Sequence, residues 1–211
     1  MNKVNLAIFI SGKGTNLKSI SKACAKTKYP AVIKLVISDN ASEGYFLSKK
    51  LLHETILIDK AKSKHEFESE ASFHLKKNKI DLICLAGFMK ILSPEFVRNW
   101  KNKILNIHPS ILPLFPGLNT HSKTIKAGMK IHGSTVQVVT DKLDDGEIIG
   151  QIAISINPND KIDLIIKKLK KYENILYVRS LEEFIKKDSN LKYFKPLKMK
   201  KNKYNEYIIS I

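Results

Sequence analysis

Arginine is almost absent from this chain. Arg98 and Arg179 are the only arginines among 37 basic residues, so the remaining 35 are lysines. Proteins that read nucleic acids rely on arginine for bidentate contacts with phosphates and bases. The net charge of +17 therefore indicates a lysine-biased solvated surface, or a positive field that attracts small anionic substrates. Nucleic-acid binding is disfavoured by this composition but stays open as an alternative.

Cysteine and long apolar runs are scarce as well. Cys24 and Cys84 occur in helix-like and strand-like surroundings, which predicts two reduced core thiols and disfavours a disulfide framework or a cysteine-bound metal. No run of about 18 apolar residues, the minimum for an apolar membrane-spanning helix, is present. The N-terminus enters a strand-like run without a charged and then apolar leader. We therefore expect a cytoplasmic protein with no membrane partner.

Strand-like and helix-like patterns alternate through the first half of the chain. Apolar runs predict strands, and helical spacing predicts helices between them; the strands lie at 4–10, 31–38, 55–58 and 82–85, and the helices at 17–26, 42–52 and 63–77. Ser93 and Pro94 have the N-cap and first-turn preferences that start a further helix. This order predicts an α/β fold, a doubly wound and mainly parallel sheet with a Rossmann-like N-terminal half.

The second half departs from this alternation. A short helix is predicted at 120–127, and two strands at 134–140 and 148–156 are expected to extend the sheet in antiparallel fashion. A long helix with apolar residues at helical spacing follows at 161–187. The lysine-rich tail from residue 188 has no assignable element.

The chemistry of the sequence centres on residues 105–113, which end a buried strand and continue into a loop with two prolines. Successive strand side chains point to opposite faces, so Asn106 and His108 share one face. That face lies at a strand's carboxyl edge, where open α/β sheets bind ligands. An amide donor beside an imidazole suits a reaction in which a carbonyl oxygen becomes an oxyanion. A purely structural asparagine–histidine pair is the alternative.

Residues 11–16, with the sequence SGKGTN, form a turn of small residues between the first strand and the first helix. Such a turn lets backbone N–H groups approach a phosphate at a helix N-terminus. Leu17 occupies the position of the third glycine in the dinucleotide fingerprint, and the P-loop pattern is also missing. A dinucleotide-dependent dehydrogenase is therefore disfavoured, whereas an ordinary glycine turn stays open.

Asp144 belongs to a turn at residues 143–146. Aspartates in turns are usually local caps. If this turn folds back against His108, its carboxylate favours the charged imidazole.

Together these stretches resemble the phosphoribosylglycinamide formyltransferase family, the folate-dependent transformylases of purine synthesis. The resemblance covers about residues 4–185 and depends, in the family's order, on residues 11–17, 85–93, 105–113, 116–121, 132–136 and 139–144. It implies a single formyltransferase catalytic domain at 1–188, with a nucleotide-binding half at 1–100 and a folate-binding and catalytic half at 101–188. Residues 189–211 would form a lysine-rich tail beyond it.

The resemblance also implies a reaction and its residues. The amine of 5-phosphoribosylglycinamide would take the formyl group of the co-substrate 10-formyltetrahydrofolate in de novo purine (IMP) biosynthesis, without a metal. The catalytic residues would be Asn106, His108 and Asp144. The nucleotide would contact Gly14, Thr15, Asn16 and Glu173, although Glu173 is also interpretable as a solvated helix glutamate. The formyl-folate would contact Lys64, Met89, Lys90, Ile91, Leu92, Asn106, Thr140, Asp141, Lys142, Leu143 and Asp144.

Four positions depart from the family pattern. Lys64 and Lys90 stand where arginines are usual, and a lysine keeps the charge but loses the bidentate geometry. Gln137 and Glu147 replace a common histidine and proline beside the active loop. These departures are expected to affect affinity more than the type of reaction.

Other activities compete with this interpretation. A formyltetrahydrofolate hydrolase resembles the family in the same catalytic residues but carries an additional N-terminal domain, and residues 116–121 suit the transferase better. A formyltransferase that acts on aminoacyl-tRNA usually has a further C-terminal domain, for which the tail is too short. A non-enzymatic, basic nucleic-acid-binding module is the alternative from a different class. The implied partners of the transferase are small molecules, and the sequence leaves a monomer and a homodimer equally open.

Overall fold

The computed structural model describes residues 3–157 and 159–187. The predicted tail at 189–211 lies outside the described residues. Seven strands form one sheet in the order β3-β2-β1-β4-β5-β6-β7, with helices flanking it. This arrangement confirms the predicted α/β class. No described helix has the length and apolar character needed to cross a membrane.

The chain divides into two compact units. The first runs to Asn106 and includes Val139–Asp141, and the second comprises Ile107–Val138 and the chain from Lys142 onward. The single catalytic domain predicted at 1–188, with halves meeting at residues 100 and 101, stays a prediction.

The first unit contains the parallel part of the sheet. β1 pairs with β2 and β4, β2 pairs with β3, and β4 pairs with β5, all in parallel. The predicted bounds of β1, β2 and β4 are confirmed. Its elements are β1 (Val4–Ile10), α1 (Thr15–Cys24), β2 (Ala31–Ser38), α2 (Glu43–Lys50), β3 (Thr55–Leu57), α3 (Lys64–Lys77), β4 (Leu82–Leu85) and α4 (Pro94–Asn99). β5 (Ile104–His108) begins in this unit, and its last two residues belong to the second.

Side-chain caps fix where the helices of this unit begin. Ser93 accepts a hydrogen bond from the Phe96 backbone N–H, and Pro94 occupies the first turn of α4, which confirms the predicted start. At α3, Ser63 and Glu66 form a reciprocal capping box. Both caps satisfy donors that would otherwise lack a partner at a helix start.

Aromatic side chains form the centre of the first unit's core. Phe9 on β1 meets Phe88 edge to face, with ring centroids 5.4 Å apart, and it also contacts Phe67 and Phe96. Because Phe88 lies three residues after the end of β4, this cluster anchors the start of the loop that continues through residues 89–92. Edge-to-face packing of this kind adds to the stabilisation from burial.

Both cysteines belong to the first unit and are free thiols. Burial raises the pKa of the Cys24 thiol to about 11. Cys24, which is partly exposed, therefore stays protonated near neutral pH, whereas Cys84 is buried in the core as predicted.

The second unit contains α5 (Thr120–Lys126), β6 (Ile131–Val138), β7 (Ile148–Ser155) and α6 (Ile162–Lys187). β6 and β7 pair in antiparallel fashion, as predicted. β6 begins at Ile131 rather than at residue 134. A Cβ at Gly133 would lie 2.0 Å from the Ile152 carbonyl oxygen, so this glycine within β6 lets β7 approach closely.

α6 packs on β7 at a second glycine. A Cβ at Gly150 would lie 2.5 Å from Ser180 Oγ and 3.2 Å from Leu176 Cδ1. Leu176 and Ser180 are both buried on the inner face of α6. The missing side chain on β7 therefore lets the long helix lie directly against the strand. This contact lies about one to two turns beyond Glu173, the buried carboxylate that α6 carries.

Candidate active site

The turn before α1 presents unpaired backbone donors. Gly14 adopts a left-handed conformation with φ 72° and precedes α1 without a side-chain cap. The first helical hydrogen bond runs from Lys18 N–H to the Gly14 carbonyl, so the N–H groups of Thr15 and Asn16 have no acceptor within the helix. No acidic side chain occupies the first turn. The predicted segment thus has the backbone arrangement that binds anions.

Two glycines from different elements lock this turn in place. A Cβ at Gly14 would lie 2.8 Å from Gly44 Cα, and a Cβ at Gly44 would lie 2.5 Å from the Gly12 carbonyl oxygen. That carbonyl accepts a hydrogen bond of 2.9 Å from the Gly44 N–H. A side chain at Gly14 would therefore disturb the fold itself, so its effect would not be limited to a bound anion.

Ser11 connects the turn to the loop after β4. Its hydroxyl donates to Asp39 Oδ2 at 3.0 Å and accepts from the Met89 backbone N–H at 3.0 Å. Its backbone N–H donates to the Gly87 carbonyl at 3.2 Å. Asp39 is buried. The predicted nucleotide segment and the predicted folate segment therefore share one hydroxyl group in the first unit.

The segment at 89–92 exposes apolar side chains beside a cation. Met89 is 73% exposed and Ile91 is 63% exposed, an arrangement suited to the flat apolar face of a ligand. Lys90 Nζ donates to the Lys60 carbonyl at 3.0 Å and lies 4.9 Å from the Phe67 ring centroid. Lys64, which was predicted to join this segment, is exposed at the first residue of α3.

His108 ends β5 and is buried, whereas Asn106, two residues earlier on the same strand, is partly exposed. His108 Nδ1 lies 3.4 Å from Asp144 Oδ2. Its Nε2 lies 3.1 Å from the Phe115 carbonyl oxygen. Both ring nitrogens thus face acceptors, and only the charged imidazole can donate from both. The predicted contact between the turn of Asp144 and His108 is present.

Three groups hold the Asp144 carboxylate. In addition to His108, the Gly117 backbone N–H donates to Oδ2 at 2.8 Å and Gln137 Nε2 donates to Oδ1 at 3.1 Å. Sequence reasoning identified Gln137 only as a departure from a family histidine and gave it no partner. The one available signal was its position on β6, where strand alternation points its side chain to the face opposite that of Val136.

Glu173 on α6 is 6% exposed, so its interpretation as a solvated glutamate is wrong. Its Oε1 accepts a hydrogen bond of 2.8 Å from Ser134 Oγ, and its Oε2 lies 3.9 Å from Lys170 Nζ. A buried carboxylate with a hydroxyl and an ammonium partner is a built polar site. Ser134 lies within the family motif at 132–136, but the sequence gave it no role or partner.

A pair of histidines, one buried and one partly exposed, lies in the same unit. His121 Nδ1 and His132 Nε2 are 2.8 Å apart, and Thr124 Oγ1 lies 3.2 Å from His132 Nδ1. Burial, followed by the positive charge of His121, lowers the pKa of His132 to about 4. Burial, with Lys170 and His108 nearby, also lowers the pKa of His121. The sequence marked both histidines within family motifs but gave them no role.

The predicted folate loop at 140–144 is divided between the two units. Thr140 and Asp141 belong to the first, and Lys142 to Asp144 belong to the second. Leu143 is 58% exposed and lies over Gly117. Lys142 is exposed and pairs with Asp145 at 3.8 Å. In the parts of the chain that the structure describes, no three His, Cys, Asp or Glu side chains cluster as metal ligands.

Comparison with known proteins bears on what these groups do together. Residues 4–181 match the family model described as formyl transferase. The chain belongs to the formyl transferase family. The phosphoribosylglycinamide formyltransferase of Haemophilus influenzae is 39% identical over 175 residues, which cover 82% of this chain and 82% of that protein. The trifunctional purine biosynthetic protein adenosine-3 of Gallus gallus is 39% identical over 184 residues, or 86% of this chain, which spans 18% of that relative's length.

Solved structures of the family agree with this fold. The phosphoribosylglycinamide formyltransferase of Brucella melitensis superposes with a TM-score of 0.83 at 35% identity, covering 92% of this chain and 100% of that one. A formyltetrahydrofolate deformylase of Pseudomonas syringae also reaches a TM-score of 0.83, but at 22% identity and over 66% of its length. The latter likeness concerns the fold alone.

Proposed function

We propose that this chain transfers the formyl group of 10-formyltetrahydrofolate to the amine of 5-phosphoribosylglycinamide, yielding formylglycinamide ribonucleotide and tetrahydrofolate. It would act in the cytoplasm in de novo purine biosynthesis, on the path to IMP. The observation that carries the proposal is the His108–Asp144 pair at the end of β5. It occurs in a chain that is 39% identical to a phosphoribosylglycinamide formyltransferase.

The reaction needs a group that stabilises negative charge on the formyl oxygen. When the amine nitrogen attacks the formyl carbon, Asn106 and charged His108 donate hydrogen bonds to the developing oxyanion. Nδ1 faces Asp144, and Nε2–H donates to the Phe115 carbonyl in the structure. The Nε2–H is therefore the donor that exchanges the Phe115 carbonyl for the formyl oxygen of the substrate.

Asp144 has two tasks in this mechanism. Its negative charge favours the charged imidazole, and it relays the amine's proton through water toward the folate nitrogen. The bond between the formyl carbon and that nitrogen then breaks, so the proton lost by the amine balances the one gained by the leaving nitrogen.

The nucleotide is assigned to two sites, the backbone N–H groups at the start of α1 and the carboxylate of Glu173. Its phosphate binds the unpaired N–H groups of Gly14, Thr15 and Asn16 at the start of α1. Its ribose hydroxyls donate to Glu173, whose buried carboxylate can exchange the Lys170 contact for a ligand.

The formyl-folate is assigned to the apolar and cationic segments. Met89, Ile91 and Leu92 would contact its flat ring. Lys64 and Lys90 would attract its carboxylates as point charges, without the bidentate geometry of arginine. The loop that covers the co-substrate would comprise Thr140, Asp141, Lys142, Leu143 and Asp144.

An absorbance assay of folate product, with and without 5-phosphoribosylglycinamide, tests the proposal. Turnover that requires the amine and yields formylated nucleotide supports the transferase. Turnover of equal rate without the amine would instead establish the formyltetrahydrofolate hydrolase.

A further inference from the structure

Asp144 has an unusual backbone conformation for a side-chain-bearing residue. Its φ is 53°, in the left-handed region that favours glycine. Aspartate tolerates this region better than most residues, but the conformation still needs local hydrogen bonds to persist. The groups that hold Asp144 therefore decide where its carboxylate points.

One buried amide ties both ends of this turn. Gln137 Nε2 donates to Asp144 Oδ1 at 3.1 Å, and Gln137 Oε1 accepts from the Gly146 N–H at 3.2 Å. Gln137 is 2% exposed, so water competes little for either bond. The amide spans the turn from the carboxylate of Asp144 to the backbone two residues later.

The strand is shaped to present this amide. The pairing of β6 with β7 shifts register between Val136 and Gln137, and such irregularities redirect a side chain from the regular strand orientation. The Val138 N–H donates to the Glu147 carbonyl at 2.9 Å and joins the two ends of the connection between β6 and β7. The fold thus fixes Gln137 relative to the turn on which it acts.

The charges around Asp144 explain why an uncharged amide suits this position. His108 on β5 is its imidazole partner, with His121 on α5 near His108, and its own turn carries Lys142 paired with Asp145. A neutral donor at residue 137 holds Oδ1 without competing with His108 for the negative charge. The Oδ2 atom is thereby left to the imidazole and the Gly117 N–H.

We propose that Gln137 is a positioning residue that fixes the Asp144 carboxylate against His108 by bridging the turn at 144–146. The proposal rests on the proposed function, since it concerns how that same site is held. Gln137 does not itself touch the reacting atoms. Its loss leaves the charge of Asp144 in place but releases its direction.

Two variants and a matched control test the proposal. Gln137→Met keeps the length and removes both hydrogen bonds, and Gln137→Glu keeps the acceptor for Gly146 but faces Asp144 with a like charge. Gln151→Met on neighbouring β7 is the control, because Gln151 Nε2 also makes two hydrogen bonds, to the Leu112 carbonyl and Thr135 Oγ1, without contacting Asp144.

We expect Gln137→Met to lower kcat by about 10- to 100-fold with KM changed by only a few-fold, because misdirection of a catalytic group costs rate. Gln137→Glu should also move the acid limb of the pH–rate profile to higher pH, since two adjacent carboxylates retain a proton more readily than one. Gln151→Met should stay within a few-fold of wild type, with an unchanged pH profile. Thermal unfolding of all three variants identifies any that merely fails to fold.

The imidazole NMR signals of His108 in the substrate-free protein separate this proposal from the proposed function. If Gln137→Met shifts these signals and Gln151→Met does not, the positioning contact holds even where the wild type fails to transfer formyl groups. If the wild type transfers formyl groups while Gln137→Met keeps its kcat, pH profile and His108 signals, the positioning role is overturned.

Discussion

Several turns contain a residue with a left-handed backbone, and two of them, at Gly14 and at Asp144, are held in opposite ways. At Gly14, φ is 72° and the backbone packs against Gly44, with no room for a side chain on either residue. At Asp144, φ is 53° and the side chain itself is held by three donors. The first turn is determined by shape, and the second is determined by charge and hydrogen bonds.

This contrast matches what each turn can do. A turn fixed by close backbone packing presents N–H groups whose positions do not depend on pH. A turn fixed through an ionisable side chain presents a charge whose direction depends on its partners. The two turns should therefore fail differently when they are altered, and the expected effects follow from the largest to the smallest.

Removing charge from the second turn should give the largest effect. Asp144→Asn keeps the shape, and we expect kcat to fall by about 10²–10⁴, the usual range for general acid–base catalysis, with both substrates binding within several-fold. Steady-state kinetics with both substrates measures this. Asp145→Asn is the matched control. The Asp145 carboxylate, next to Asp144 in the chain, is exposed and pairs with Lys142 at 3.8 Å.

The pairing of Asp144 with His108 has a stricter test. His108→Ala and the double variant should show nearly equal losses, because residues that act as a unit are not additive. If the two single losses simply multiply, the mechanism must be rebuilt around another carboxylate.

Adding a methyl group at Gly44 of α2, against which the first turn packs, should lower stability without altering the catalytic groups. A Cβ at Gly44 would lie 2.5 Å from a backbone oxygen, so Gly44→Ala should lower the free energy of unfolding by about 1–3 kcal/mol, the cost of overpacking. Urea unfolding measures this change. Gly12→Ala, in the turn itself and with no atom within 4 Å of its Cβ, should change it by less than about 0.5 kcal/mol. Equal stability of the two variants would refute the packing argument.

The histidine pair of the second unit should make stability depend on pH. The folded-state pKa of His132 is lowered to about 4, so below pH 6.5 the unfolded chain binds a proton that the folded chain refuses. Stability should therefore fall as pH drops from about 6.5 toward 4, by up to about 3 kcal/mol from this residue. His121, whose pKa is also lowered, contributes in the same direction.

Urea unfolding at pH 7 and pH 4.5 measures that loss. His132→Gln should flatten the dependence, whereas His65→Gln, at an exposed site on α3, should leave it unchanged. A wild-type stability that is equal at both pH values would contradict the interpretation of His132 as neutral and buried.

The smallest expected effect concerns the lysine surface. If the net charge of +17 steers anionic substrates, kcat/KM should fall several-fold as salt rises from about 0.05 to 0.5 M, while kcat changes little. Stopped or continuous assays at matched pH measure both constants. A kcat/KM that ignores salt would show that the lysines reflect composition alone.

The sequence predicted the parallel strands well because burial on both faces leaves a continuous apolar run. β1, β2 and β4 match their predicted bounds for that reason. α1 was placed two residues late, because the turn residues Thr15 and Asn16 are polar yet already helical. β6 was started late because Gly133 resembles a turn residue in sequence, whereas its role is close approach to β7.

The candidate site was predictable only where one element carries the pattern. Asn106 and His108 follow from strand alternation, and the contact of His108 with Asp144 came from the family resemblance. The partners of Asp144 and Glu173 were not predictable, since Gln137 and Ser134 meet them across the chain through hydrogen bonds of 3.1 and 2.8 Å. Long-range contacts between polar groups leave no periodic signal in a single sequence.

The hydroxyl of Ser11 has a chemical consequence of its own. Its one hydrogen is directed to Asp39, and its oxygen already accepts the Met89 N–H. The hydroxyl therefore has no hydrogen left for an incoming anion. Ser11 belongs to the turn whose backbone is arranged to bind anions, yet its own side chain should act only as a brace between Asp39 and the loop at Met89.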